Sequence, residues 1–150
     1  IECSLKWPND IYYQEKKLGG ILCESKIKKD AIDKIVIGVG INVNETIEEH
    51  PDDLQKSITT MFSITKHAHQ RELIVAEFIN SFERLLKKLN DKPTSIIDEW
   101  LNYCLHLNKK VSFSNDKQLD EGTFIGLNEK GYAQIEINGE VKTYNSINLI

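Results

Sequence analysis

The chain has 150 residues, 40% hydrophobic and 28% charged, with 19 Lys+Arg against 23 Asp+Glu and a formal net charge of −4. That balance suits a folded globular chain, one ordinary domain or a partial domain plus a very small one, and excludes a disordered polymer. No cluster of Lys and Arg has the density that nucleic-acid phosphates demand, and no apolar run is long enough to cross a bilayer, so both classes are set aside.

In chain order, residues 1–6 alternate apolar and polar side chains and read as a strand entering the Trp7-Pro8-Asn9-Asp10 turn. Ile11, Tyr12 and Tyr13 form a short strand, residues 14–17 turn, and residues 18–25 form the next strand. Residues 26–33 read as a polar turn. The β-branched run IVIGVGINVN at residues 35–44 has the pattern of a fully buried strand. Pro51, Asp52 and Asp53 suit a first helical turn, leading into Leu54, Ile58, Met61 and Phe62 at helical spacing. Residues 70–90 predict an amphipathic helix whose stripe of Leu73, Ile74, Phe78, Phe82, Leu85, Leu86 and Leu89 reads as core. Pro93 interrupts, and Thr94-Ser95 starts a second helix carrying Ile97, Trp100, Leu101 and Cys104. From residue 108 the period becomes two, with five short strands separated by Asn-Asp, Asn-Glu-Lys-Gly and Asn138-Gly139 turns, which predicts a small barrel. The expected fold class is therefore α+β, a mixed sheet with helices followed by a small β-barrel, divided at residues 1–107 and 108–150.

Cys3, Cys23 and Cys104 are an odd number without C-x-x-C spacing, which argues against a disulfide framework or zinc site and fits reduced thiols in a cytosol. Cys23, inside a strand, reads as buried. Residue 1 is Ile and the only methionine is Met61, so the chain reads as the C-terminal part of a longer protein.

One segment concentrates chemistry. In KWPNDIYYQEKKLGGIL, residues 6–22, two lysines, Lys6 and Lys17, flank a Pro-Asn-Asp turn that leads to Gly19-Gly20 in an apolar run. Cations beside side-chain-free backbone make half of a pocket for an anionic substrate. Each part alone has a plainer reading, as a turn, a solvated lysine or a bulge. GVGIN at residues 38–42 is not the dinucleotide fingerprint, because the G-x-G-x-x-G spacing and its following helix are missing. Trp7 reads as a site wall or, at least as readily, as a packed core indole. His67 and His69 read as a surface loop, since no third metal ligand accompanies them.

Taken together, KWPND at residues 6–10, KLGGILCE at 17–24 and GVGIN at 38–42 resemble the biotin protein ligase family in order and spacing. The terminal strand-rich segment is similar to that family's SH3-like barrel. Gly19 stands where many relatives carry Ala. The resemblance implies an ATP-dependent enzyme that converts biotin to biotinyl-5′-AMP and transfers it to a lysine of a biotin carboxyl carrier protein, in the cytoplasm, with dimerisation left open. It implies Lys17, Lys6 and Asp10 as catalytic residues and Lys17, Gly19, Gly20 and Ile21 against biotin. It further implies Asn9, Asp10 and Asn42 toward the nucleotide, with Asp10 toward Mg²⁺ through the phosphates. The family's Gly/Arg-rich loop lies upstream of KWPND and is not in this sequence, so the expectation is that this chain alone is inactive. A non-catalytic module that docks a carrier protein or partner subunit is the alternative, and a lipoate or octanoyl transferase relative a distant one.

Overall fold

The computed structural model describes residues 1–29, 31–92, 94–115 and 118–150. Pro93, expected to interrupt the helices, and Asp116, of the expected Asn-Asp turn, lie outside the described residues. The chain forms two compact units, one of residues 1–4 and 9–71 and one of residues 5–8 and 72–150. It begins with strand β1 (Ser4–Lys6), followed by the Trp7–Pro8 peptide, which is cis.

In the first unit, β2 (Asp10–Tyr13), β3 (Lys16–Lys28) and β4 (Ala31–Ile41) are neighbours in chain order. Both pairings are antiparallel, so the expectation of a mixed sheet is not met by these strands. Short connections dictate this, because a turn of a few residues can join only antiparallel neighbours. The polar turn expected over residues 26–33 contracts: strand pairing continues through Lys26↔Lys34 to Lys28↔Ala31, with a bulge after Lys26. Lysine stems tolerate a solvated strand, and the ladder satisfies backbone groups that an open loop would leave to water.

The outer part of this hairpin overturns a second expectation. The run expected to be buried over residues 35–44 is exposed from residue 35 to 40 and half-buried at Ile41, with only Val43 buried. Leu22, Ile27 and Ile32 are 61%, 68% and 63% exposed. Cys23, expected to be buried, is exposed on the same hairpin. Period and β-branching specify a strand, but burial needs a second layer, and no described element covers this one.

The helix expected through Leu54 and Phe62 does not form as one piece. A 3-10 turn spans Ile47–Glu49, turns follow over residues 52–57, Ile58 makes a parallel bridge to Lys17, and helix α1 occupies only Met61–Thr65. Thr59 and Thr60 are buried, and Thr60, in extended backbone, caps α1 by accepting the Ser63 N–H at 3.0 Å. Tertiary pairing and an N-cap threonine thus override the helical spacing.

The second unit contains most of helix α2 (Arg71–Asp91), helix α3 (Thr94–Asn102) and strands β5 (Lys109–Asn115), β6 (Gln118–Leu127), β7 (Ala133–Ile137), β8 (Glu140–Tyr144) and β9 (Asn148–Leu149). The sheet order is β8-β7-β6-β5-β9, antiparallel at every pairing. The Asn138-Gly139 turn has positive φ at both residues, 53° and 83°, the conformation a two-residue hairpin requires. Phe113, Phe124 and Ile135 are fully buried here and pack with Trp7, Val111, Ala133 and Ile147. Trp7 is therefore a core indole, donating from Nε1 to the Gly131 carbonyl at 3.0 Å. The α2 stripe departs from its expected core role: Ile74, Phe78 and Phe82 are half-buried, whereas Leu73, Leu85, Leu86 and Leu89 are exposed. Cys104 lies past the end of α3, where its strand bridge to Leu5 is flanked by Leu5 N–H to Tyr103 O at 2.7 Å. Among the described residues, no helix is long and apolar enough to cross a membrane.

Candidate functional site

The site grows from the attachment of the Asn9 turn to β3. The Ile21 amide donates to the Asn9 carbonyl at 2.8 Å, and the Asn9 side-chain amide donates back to the Ile21 carbonyl. Two bonds to one residue fix where the turn meets the strand. Asp10 then pairs with Gly20, and a register shift between Ile11 and Tyr12 brings Tyr12 opposite Lys17.

Lys17 is anchored through its backbone. Its N–H donates to Ser57 O at 2.8 Å, and its carbonyl accepts the Thr59 N–H at 2.8 Å. Asn42 secures the same segment, donating from Nδ2 to Thr59 O at 3.0 Å while its backbone N–H bonds Leu18 O at 2.9 Å. Beyond it, Asn44 and His69 exchange two hydrogen bonds of 2.9 and 2.8 Å. Glu45 accepts from the Val43 N–H at 2.8 Å and from Arg71 at 2.7 Å. Its carboxyl is held below the usual carboxylate range, first by its own backbone N–H and further by Val43 and Arg71, against an opposing effect of burial.

With its backbone fixed, Lys17 directs its ammonium to Asp10, Nζ to Oδ1 at 2.6 Å. The two side chains retain 42% and 25% exposure, so the pair sits at a solvated rim and contributes about 0–1 kcal/mol. It borders an open cleft of about 400 Å³. Of the expected site residues, Asn9, Asp10, Lys17, Gly20 and Ile21 line this cleft. The opposite strand supplies Gly38, Val39 and Gly40, and β3 adds Leu22. Leu22 continues the apolar wall expected at Ile21, whereas Gly38, Val39 and Gly40 carry no site assignment in the sequence reading, although the G-x-G spacing at residues 38–40 is the signal that could find them: two bare backbone positions face Gly20 and Leu22 across the ladder.

Gly19, Asn42 and Lys6 are not in the lining. A Cβ on Gly19 would overlap the Gly40 carbonyl oxygen and come within 3.2 Å of Ile41 Cα, so this glycine serves the approach of two strands. Gly20 is different: its Cβ would fall 2.9 Å from Asp10 Oδ1 and 3.5 Å from Lys17 Cε. Lys6 belongs to the second compact unit. His67 is exposed and His69 half-buried, their rings 4.6 Å apart edge to face, and His69 Nε2 lies 2.8 Å from Thr65 Oγ1. No metal-binding cluster of His, Cys, Asp or Glu occurs among the described residues. An ammonium beside glycine backbone at an open cleft can receive an anion, with backbone amides and carbonyls free to lie close to it.

The biotin/lipoate A/B protein ligase family matches residues 1–42. The bifunctional ligase/repressor BirA of Bacillus subtilis is 27% identical over 99% of this chain and 46% of its own length. The apo structure of the biotin protein ligase from Aquifex aeolicus superposes with a TM-score of 0.86 at 33% identity, covering 100% of this chain and 66% of that one. The same ligase in complex with biotin and ATP gives 0.84 at 33% identity, covering 100% and 62%. The chain therefore spans about half the length of the BirA relative, 46%, and less than two thirds of the liganded structure, 62%. Residues 1–42 thus match the biotin/lipoate A/B protein ligase family, and over nearly its whole length the chain is similar to biotin protein ligases.

Proposed function

We propose that this chain supplies the anion-binding cleft of a biotin–protein ligase. In the first step the biotin carboxylate oxygen attacks the α-phosphorus of ATP; a P–O bond forms, the bridging P–O bond breaks, and pyrophosphate leaves. In the second, the amine of a carrier-protein lysine attacks the acyl carbon, the C–O bond to AMP breaks, and the amine gives up a proton. Two anions must meet in the first step, and unit charges at roughly 4 Å repel by about 4 kcal/mol at an effective dielectric of about 20. Lys17, set beside the cleft, offsets that repulsion and stabilises charge building on the acyl phosphate. Gly20 and Ile21 offer bare backbone and an apolar wall to biotin, with Gly19 holding the strands together behind them.

Asn9 and Asp10 take the nucleotide side in this reading. Asp10 offers the single carboxylate that suits Mg²⁺, an ion that keeps several waters and takes its other ligands from phosphates. Bound there, Mg²⁺ would neutralise phosphate charge. Asp10 is also the acceptor offered for the amine proton. Asn42 toward adenine and Lys6 as a second cation rest on the family resemblance alone. The same resemblance supports residues 1–107 as part of a catalytic domain, residues 108–150 as an SH3-like barrel, a biotin carboxyl carrier protein as partner, and a cytoplasmic location.

The observation that carries the reading is the Lys17 ammonium beside a glycine-lined cleft, in a chain that superposes on a ligase in complex with biotin and ATP. Calorimetry of biotin and ATP with the full-length protein tests it. Saturable binding of both, with release of pyrophosphate on mixing, is the expected result; binding of neither contradicts it.

A further inference from the structure

Lys17 Nζ and Asp10 Oδ1 lie 2.6 Å apart, so the cation assigned to an incoming anion already carries a carboxylate partner. The placement is specific. Asp10 is the register partner of Gly20, and the residues on either side of that pair, Asn9 and Ile21, are joined through the Ile21 N–H to Asn9 carbonyl bond. A Cβ on Gly20 would come within 2.9 Å of Asp10 Oδ1 and 3.5 Å of Lys17 Cε. The missing side chain at residue 20 is therefore what seats the ion pair against β3.

We propose that Asp10 is a built-in competitor for the Lys17 ammonium. An arriving carboxylate exchanges with Asp10, and two carboxylates drawn to one ammonium repel each other. Both partners are partly solvated, at 42% and 25% side-chain exposure, so the pair opens readily and the competition is modest. Its effect is selective: a small anion with no other contacts gains little at Lys17, whereas a ligand held by the rest of the cleft can displace Asp10. This inference rests on Lys17 as the anion-binding cation and adds a discriminating role for Asp10 at the same place.

The test compares the full-length wild type with Asp10→Asn, and with Asp10→Ser should the amide variant fold poorly. Nitrogen-15 NMR of the Lys17 ammonium is followed first without ligand and then during titration with inorganic phosphate. Calorimetry measures biotin and its neutral primary amide. The proposal expects a shifted Lys17 resonance in the variant and a response to phosphate at lower concentration. It also expects biotin affinity tighter by about fivefold, with the amide unchanged. An unmoved Lys17 resonance, or equal weakening of biotin and its amide, overturns it. Should biotin bind neither protein while phosphate reaches Lys17 more readily in the variant, the competition stands and the biotin reading falls.

Discussion

The Thr59 amide donates to the Lys17 carbonyl oxygen at 2.8 Å, tying the cleft lysine to a buried threonine far along the chain. Lys17 is therefore fixed by its main chain, while its partly solvated ammonium pairs with Asp10. Substitution of the side chain should remove charge without loosening the strand, which makes mutational tests of the cleft readable.

The two adjacent glycines should separate cleanly. Gly19→Ala forces a methyl against the Gly40 carbonyl and should destabilise the protein by about 1–3 kcal/mol, as overpacking does. At Gly38, which lines the cleft, the nearest atom to an added Cβ is Leu22 O at 3.8 Å. Gly38→Ala should keep the melting temperature and weaken biotin binding instead. Chemical denaturation with calorimetry on both variants checks this; equal stability losses would contradict it.

Asn42 tests structure against ligand contact. Its amide donates to Thr59 O at 3.0 Å, and removing it leaves a part-buried acceptor unpaired, at a cost of about 1–3 kcal/mol. Asn42→Ala should therefore lower the unfolding free energy. A variant with unchanged stability and weakened ATP binding would assign the amide wholly to the ligand.

Acid should destabilise the second unit through His106. This ring is buried, stacks edge to face on Phe124 at 4.2 Å between centroids, and has no hydrogen-bond partner at Nε2 among the described residues. Burial, with the Lys6 and Lys109 charges adding, pushes its pKa down from 6.5 to about 4. A depressed histidine value means the unfolded chain binds the proton more readily. The contribution is fully present above the unfolded value and is lost as pH falls from 6.5 toward about 4. Between pH 7.5 and pH 5 the loss should be about 2 kcal/mol, and His106→Phe should flatten that part of the profile. Identical acid limbs in wild type and variant would contradict the assignment.

What was legible in the sequence was local. The Pro8-Asn9-Asp10 turn, the strands around it and the hairpin at Asn138-Gly139 follow from turn chemistry and two-residue alternation, and the structure forms them. Asn9 and Asp10 of KWPND and Gly20, Ile21 and Leu22 of GGIL border one cleft, because a turn and the next strand must be neighbours, whereas Lys6, Trp7 and Gly19 do not line it. What was not legible depends on distant partners. Val36 and Ile37 read as buried because β-branching marks a strand, yet exposure depends on what lies over the sheet. Residues 51–62 read as a helix, but the Lys17 bridge at Ile58 and the Lys17 bonds to Ser57 O and the Thr59 N–H break it. The role of Gly19 required knowing that Ile41 pairs with it across the ladder, which no spacing rule encodes.

The most direct measurement is the rate of biotin-dependent pyrophosphate release by the full-length protein with Lys17→Ala, at saturating biotin and ATP. Loss of a positioned electrostatic stabiliser predicts a fall of about 100-fold, about 3 kcal/mol of barrier, with the melting temperature unchanged. A variant that releases pyrophosphate at the wild-type rate would contradict the assignment of Lys17 as the cation that brings the two anions together.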